Sequence, residues 1–65
     1  MASNDGKRLY EYHVLDRSGE NTVTVVEPTT VLASSESVAR NLAVRAVPEA
    51  AAEHLEKLEI VVRAL

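Results

Sequence analysis

The chain lacks cysteine altogether, and its only aromatic side chains besides histidine are two tyrosines. The absence of cysteine excludes disulfide bonds, thiolate metal sites and cysteine catalysis. Two histidines are too few for a structural zinc site unless carboxylates complete the ligand set. Because phenylalanine and tryptophan are missing, the chain also has no stacking platform of the kind that single-stranded nucleic-acid binders use. We therefore expect no cofactor and no metal.

Long hydrophobic runs are missing as well. No apolar stretch approaches the roughly 20 residues of a transmembrane helix, and no hydrophobic segment follows the basic pair Lys7-Arg8, as it would in a secretory signal peptide. The formal net charge of −3 opposes attraction to phosphate backbones and to anionic membranes. These features predict a soluble protein that does not bind membranes and for which nucleic acid is an unfavoured partner.

Few side chains could support catalysis. Glu11 and His13 are two residues apart on a predicted strand and so share a face, but neither a nucleophile nor a third metal ligand accompanies them. His54 lies among glutamates and is best interpreted as a solvated side chain. The serines between positions 34 and 37 suit helix capping, and two glycines are too few for a phosphate-binding loop. We predict no catalytic, cofactor-binding or metal-binding residues, and hence a protein that is not an enzyme.

The apolar residues that are present follow the pattern of strands around a helix. Residues 9–15 alternate in polarity, residues 22–26 are rich in β-branched side chains, and the segment 16–21 between them has turn chemistry, so we predict a hairpin. Glu27-Pro28 places the second strand at an edge, bends it or ends it, because proline cannot donate to a ladder. Residues 29–33 are an optional continuation of that strand.

A helix is predicted from about residue 35 to residue 47, with a serine as its N-cap and Pro48 as its stop. Its apolar stripe consists of Val38, Ala39, Leu42, Ala43 and Ala46. Residues 48–55 suit either further helical turns or a loop, and residues 58–63 return to the alternation of a strand.

The element order is therefore ββαβ. A right-handed crossover from the second strand to the third leaves room for the first strand between them. We predict a small two-layer α+β domain, with a three-stranded antiparallel sheet in the order 2-1-3 and one main helix on one face. Residues 1–7 form a flexible N-terminal arm, and residues 8–65 form the single domain.

One helix covers only one side of such a sheet, yet both sides carry apolar groups. Tyr10, Tyr12 and Val14 lie on one face of the first strand, and Leu9 and Leu15 lie on the other. An exposed apolar patch of several hundred Å² would indicate an interface, although scattered apolar residues on an open sheet are ordinary. Tyrosine is favoured at interfaces, and the fork of an arginine suits a partner's carboxylate. We therefore predict partner contacts at Tyr10, Tyr12 and Arg40.

Four segments in the second half of the chain carry a resemblance: EPTTVLA (27–33), SVAR (37–40), VPE (47–49) and LEIVVR (58–63). Together they resemble small uncharacterised proteins encoded in phage and prophage genomes, which share a hairpin, a helix ending at a proline and a last strand ending in Val-Arg. The resemblance implies a virion-associated structural or accessory protein that binds a coat or tail protein, located in the virion or the host cytoplasm.

Three functions remain open at this point. The first is the non-catalytic capsid- or tail-associated role, with a viral protein or a second copy of the chain as partner. The second is a small regulator or inhibitor that binds a host protein. The third is a weak nucleic-acid-binding module that uses Arg40 and Arg45 on the helix, against which the acidic balance of the chain argues.

Overall fold

The computed structural model of the chain describes residues 6–65. The elements are strand β1 (Arg8–Asp16), strand β2 (Val23–Ala33), helix α1 (Glu36–Ala46), helix α2 (Glu49–Ala52), a short 3-10 turn (Leu55–Lys57) and strand β3 (Leu58–Ala64). The predicted arm at residues 1–7 lies outside the described residues except for Gly6 and Lys7, both of which are exposed. The segment that suited either helix or loop is thus a single turn of α-helix followed by a 3-10 turn.

The three strands form one antiparallel sheet in the order β2-β1-β3, with α1 against one face. Strand β1 is central because the chain leaves β2, crosses the sheet through α1 and returns on the far side of β1. The predicted α+β fold, its ββαβ element order and its strand order are confirmed.

Strand β2 runs without interruption through Pro28, so the optional continuation is part of the strand. It accommodates the proline by bulging. Tyr12 lies opposite Thr29 whereas Val14 lies opposite Val26, and a second shift follows before Leu15. Each shift inserts one additional residue into β2, which is why its 11 residues pair with only 9 of β1. A missing N–H is tolerated here because β2 is an edge strand.

Helix α1 begins and ends where side-chain and backbone chemistry require. The Val38 N–H donates to Ser35 Oγ at 3.2 Å, so Ser35 is the N-cap. Val47 has extended backbone angles because the following Pro48 disfavours a helical conformation there. The predicted bounds therefore correspond to the two capping residues.

The core lies between α1 and the face of β1 that carries the tyrosines. Tyr12 and Val14 pack with Ala43 and Val47, and Tyr10 packs with Ala33 and Ala39. Ala39 and Ala43 are fully buried, and their small side chains let the helix approach the sheet closely enough to cover two tyrosine rings. Of the predicted apolar stripe of α1, Val38 and Ala46 prove to be exposed.

This packing corrects the predicted role of the tyrosines. Tyr10 is 8% exposed and Tyr12 is 7% exposed, so both rings are core residues and neither presents a surface to a partner. The alternation of the strand left open which face is buried, and the predicted contacts required the tyrosine face to be the uncovered one. Aromatic rings bury a large apolar area, so the face that carries the two tyrosines packs against the helix.

The turn after β1 is held by Asp16. Its Oδ1 accepts hydrogen bonds from the Ser18 hydroxyl at 2.6 Å and from the Ser18 N–H at 2.9 Å. Both bonds favour the ionised carboxylate, the hydroxyl contributing more, and together they lower the pKa of Asp16 below its ordinary value. The ionised Asp16 side chain thus braces the start of the turn.

We expect Ser18→Ala to raise the pKa of Asp16 toward its ordinary value, because the stronger of the two bonds is lost. Since the folded-state pKa is depressed, the stabilisation from Asp16 is present above the unfolded-state pKa and is lost as pH falls through the folded-state value. A carboxyl titration by NMR measures the change. Ser37→Ala, at an exposed position on α1, serves as the control and should leave the Asp16 titration unaltered.

The close approach of α1 predicts that a larger residue at position 43 is not tolerated. Ala43→Leu should lower the free energy of unfolding by about 1–3 kcal/mol, because the added methylenes have no space against the sheet. Ala46→Leu makes the same chemical change at an exposed position of the same helix and should be nearly neutral. Urea unfolding of both variants measures the two changes in the free energy of unfolding. Equal losses at positions 43 and 46 would contradict the described packing.

Candidate functional site

With the tyrosine face covered by α1, the opposite face of the sheet is the surface left without a covering layer in residues 6–65. Successive residues of a strand point to opposite faces, and directly paired residues share a face. The pairing registers therefore define this surface. We call it the open face: Leu9, Glu11, His13, Leu15, Thr24, Thr30, Leu32, Glu59, Val61 and Arg63, with Leu65 beside Leu9.

Three leucines form one row across the open face. Leu9 lies directly opposite Leu32 on β2, and the Leu65 N–H donates to the Leu9 carbonyl at 3.0 Å, which places Leu65 on the other side of Leu9. Their exposed fractions are 51%, 43% and 60%. Because one member comes from each side of the sheet and one from its centre, the leucine row is a continuous apolar strip rather than scattered side chains.

Ion pairs flank the rest of the open face. The Arg63 Nε donates to the Glu11 carboxylate at 2.9 Å, next to the leucine row. Near the opposite end, the Arg17 Nε lies 2.9 Å from a Glu59 carboxylate oxygen. Pairs this exposed contribute about 0–1 kcal/mol each to stability. Their main effect is to set a pattern of charge beside the apolar strip.

Arg40 lies at the free edge of β3, away from the open face. Its Nη1 donates to the Ile60 carbonyl at 3.1 Å, and its Nη2 lies 3.4 Å from the Glu36 carboxylate one helical turn earlier. The three residues predicted to contact a partner are therefore not brought together: Tyr10 and Tyr12 are in the core, and Arg40 is at an edge.

The two helix arginines do not form a common basic patch. Arg40 and Arg45 are five positions apart, which at 3.6 residues per turn places them on different sides of α1. The guanidinium of Arg40 is already engaged with Ile60 and Glu36. This arrangement offers little to a phosphate backbone.

The candidates for chemistry are similarly dispersed. Glu11 and His13 share the open face, but the Glu11 carboxylate is taken by Arg63. His54 is exposed just before the 3-10 turn. Within residues 6–65 no group of three or more histidine or carboxylate side chains could hold a metal ion. A shallow depression beside α2 is lined by Glu49, Ala50, Ala52 and Glu53.

No helix in the described part of the chain combines the length and the apolar character needed to cross a bilayer.

The leucine row is the part of the site that sequence reasoning missed. The pattern left open whether Leu9 or the tyrosines face the core, it placed Leu65 outward, and Leu32 was not considered. The signal was present in α1: a helix whose inward positions are alanines needs large partners on the sheet, and the tyrosines of β1 are the largest residues available. Pairing small helix residues with large strand residues would have assigned the leucines to the open face.

Because the leucine row lies outside the core, polar replacements there should affect stability little. We expect Leu9→Thr and Leu32→Thr each to lower the free energy of unfolding by less than about 1 kcal/mol, since threonine retains strand propensity. Val14→Thr introduces the same residue type at a fully buried position and should cost about 1–3 kcal/mol for its unpaired hydroxyl. Chemical denaturation measures all three. A loss at Leu9 as large as that at Val14 would show that the leucines belong to the core.

Comparison with known proteins adds no identity to this geometry. No protein-family profile matches the chain, no curated protein matches it, and no solved structure matches it. The function is therefore argued from the open face and from the chemistry of its residues.

Proposed function

We propose that this protein is a non-catalytic protein-binding module that docks on its partner through the open face. The observation that carries the proposal is the leucine row, three large apolar side chains aligned across the width of the sheet and each between about two-fifths and three-fifths exposed. Burying a leucine from water stabilises a complex by about 1.5–3 kcal/mol per side chain. Because the three leucines are only about half exposed, a partner that covers the row gains roughly half of that energy per side chain. The entropy cost of ordering them is small, because the sheet already holds them in place.

The surroundings of the row favour a protein over other partners. Protein interfaces combine an apolar centre with a polar rim that includes arginine, and here the Glu11–Arg63 pair lies directly beside the leucines. A nucleic acid would require clustered cations, whereas each of the two arginines on the open side, Arg17 and Arg63, is already neutralised by a glutamate. The net charge of −3 also disfavours binding to the negatively charged phosphates of a nucleic acid.

Within this class we propose a phage virion-associated role, with a coat or tail protein as the partner. The support for this finer statement is the resemblance of residues 27–65 to small phage-encoded proteins. A small rigid domain with a flat docking face suits attachment in many copies to a repeating lattice, because each copy needs only one contact surface.

The absence of cysteine allows a site-specific test. Thr30→Cys places a single thiol on the open face beside Glu11, and Asn41→Cys places one on the outer side of α1; both positions are exposed. Each variant is labelled with a benzophenone maleimide, mixed with purified phage particles from the source strain and irradiated. We expect cross-links to a coat or tail protein from position 30 but not from position 41.

Two outcomes count against the proposal in different ways. If position 30 forms no cross-link, or no more than position 41, with both particles and soluble host proteins, docking through the open face is wrong. If position 30 cross-links only a host protein, the binding face stands and the virion role is wrong. Adding Leu9→Thr and Leu32→Thr to the Thr30→Cys chain should abolish the specific cross-link.

A further inference from the structure

The two edges of the sheet differ in their readiness to pair with another strand. The outer strand β2 carries two bulges and Pro28, and such irregularities prevent an edge from accepting a further strand. Strand β3 has no proline and pairs with β1 in an unbroken register from Leu58 to Ala64. Of the two edges, β3 is therefore the one with the regular backbone that strand addition requires.

The hydrogen-bonding pattern shows which groups of β3 point outward. Because the Leu65 N–H bonds to the Leu9 carbonyl, the odd-numbered residues of β3 direct their backbone groups toward β1 and the even-numbered ones direct theirs to the free edge. The Ile60 carbonyl does point outward, since Arg40 reaches it from α1. Val62 and Ala64 present their N–H and C=O groups on the same side, where the described residues offer no backbone partner.

We propose that two copies of the chain pair through β3, antiparallel about a two-fold axis at Val61, to make one continuous six-stranded sheet. This register is the one that overlaps the whole of β3 with itself, from Leu58 opposite Ala64 to Ala64 opposite Leu58. Ile60 of each copy then lies opposite Val62 of the other on the helix-covered side, with their outward backbone groups facing each other. Both of these symmetry-related Ile60–Val62 pairs are apolar.

Charge selects the same register. On the open face Glu59 of one copy lies opposite Arg63 of the other, and the pair occurs twice by symmetry. Each Arg63 is then flanked by its own Glu11 at 2.9 Å and by the second copy's Glu59, which is itself bound to Arg17. The four side chains make an alternating ionic row across the junction.

Neighbouring registers lose this complementarity. Moving the axis to Ile60 places Lys57 opposite Arg63, two like charges, and leaves Glu59 opposite Val61. Moving it to Val62 places Val61 opposite Arg63 and Glu59 opposite Leu65. Because directly opposed like charges destabilise strand pairs and opposed unlike charges stabilise them, the axis at Val61 is favoured over both alternatives.

Arg40 is compatible with this pairing. A carbonyl oxygen has two lone pairs and accepts two hydrogen bonds, so the Ile60 carbonyl can keep Arg40 while it accepts the Val62 N–H of the second copy. Arg40, predicted from the sequence to contact a partner, thus lies at the junction.

A charge exchange between copies tests the register. Sedimentation equilibrium should show that the wild-type chain dimerises. Glu59→Arg alone or Arg63→Glu alone should weaken the association on the order of tenfold or more, because each variant places two pairs of like charges opposite each other in its homodimer. An equimolar mixture of the two variants restores both unlike pairs in the heterodimer and should associate as the wild type does. Circular dichroism of each variant establishes that it is folded.

A second test uses the axis itself. Val61→Cys brings two thiols together at the two-fold axis and should form an intermolecular disulfide on mild oxidation, whereas Thr30→Cys, far from the β3 edge, should not. A wild-type chain that remains monomeric at millimolar concentration, a mixture that fails to recover association, or equal disulfide formation at positions 61 and 30 would overturn the proposal. Leu9→Thr should leave the dimer intact, so this inference and docking through the open face can fail independently.

Discussion

The contact between the alanines of α1 and the tyrosines of β1 determines which side of the sheet is left open. Ala39 and Ala43 have no exposed surface, and the space that their small side chains leave is filled by Tyr10 and Tyr12. A helix that carried leucines at those positions would stand farther from the sheet and would need smaller strand residues beneath it. Since strand residues alternate between faces, placing the tyrosines inward places Leu9 on the outside without any further interaction.

A chain of this size has little stability to distribute, about 3–5 kcal/mol for a domain without a disulfide or a metal. In such a molecule three leucines left in water represent apolar area that contributes little to folding. Among the described residues, the buried interior is filled instead by two valines, two tyrosines and three alanines. The separation of the apolar residues into a thin core and an exposed row is the physical basis for assigning a docking role to the row.

Strand and helix positions follow from the sequence because their signals are local. Alternating polarity predicted β1 and β3, and a serine at position 34 or 35 together with Pro48 predicted the ends of α1. The preference for right-handed crossovers predicted that β1 is the central strand. The path of β2 through Pro28 could not be derived in this way, since it depends on two bulges whose register is set by β1. Which face α1 covers depended on the fit between Ala43 and Tyr12, a property of two distant segments together.

The contacts of Arg40 also could not be predicted from the sequence. Its chemistry, a guanidinium that seeks an oxygen acceptor, was apparent from the sequence, but its acceptor is the Ile60 carbonyl twenty residues away. The ion pairs Glu11–Arg63 and Arg17–Glu59 likewise join residues that only the antiparallel register of β1 and β3 brings together. The sequence alone offered no means of pairing these charges.

The bulged strand β2 has a consequence for the size of any assembly. A sheet with two regular edges can add copies without limit and grow into a filament, as happens in cross-β fibrils. In this chain the far edge carries Pro28 and two register shifts, so addition at β3 leaves a product bounded on both sides by edges that accept nothing more. The proposed pairing through β3 would therefore end at the dimer.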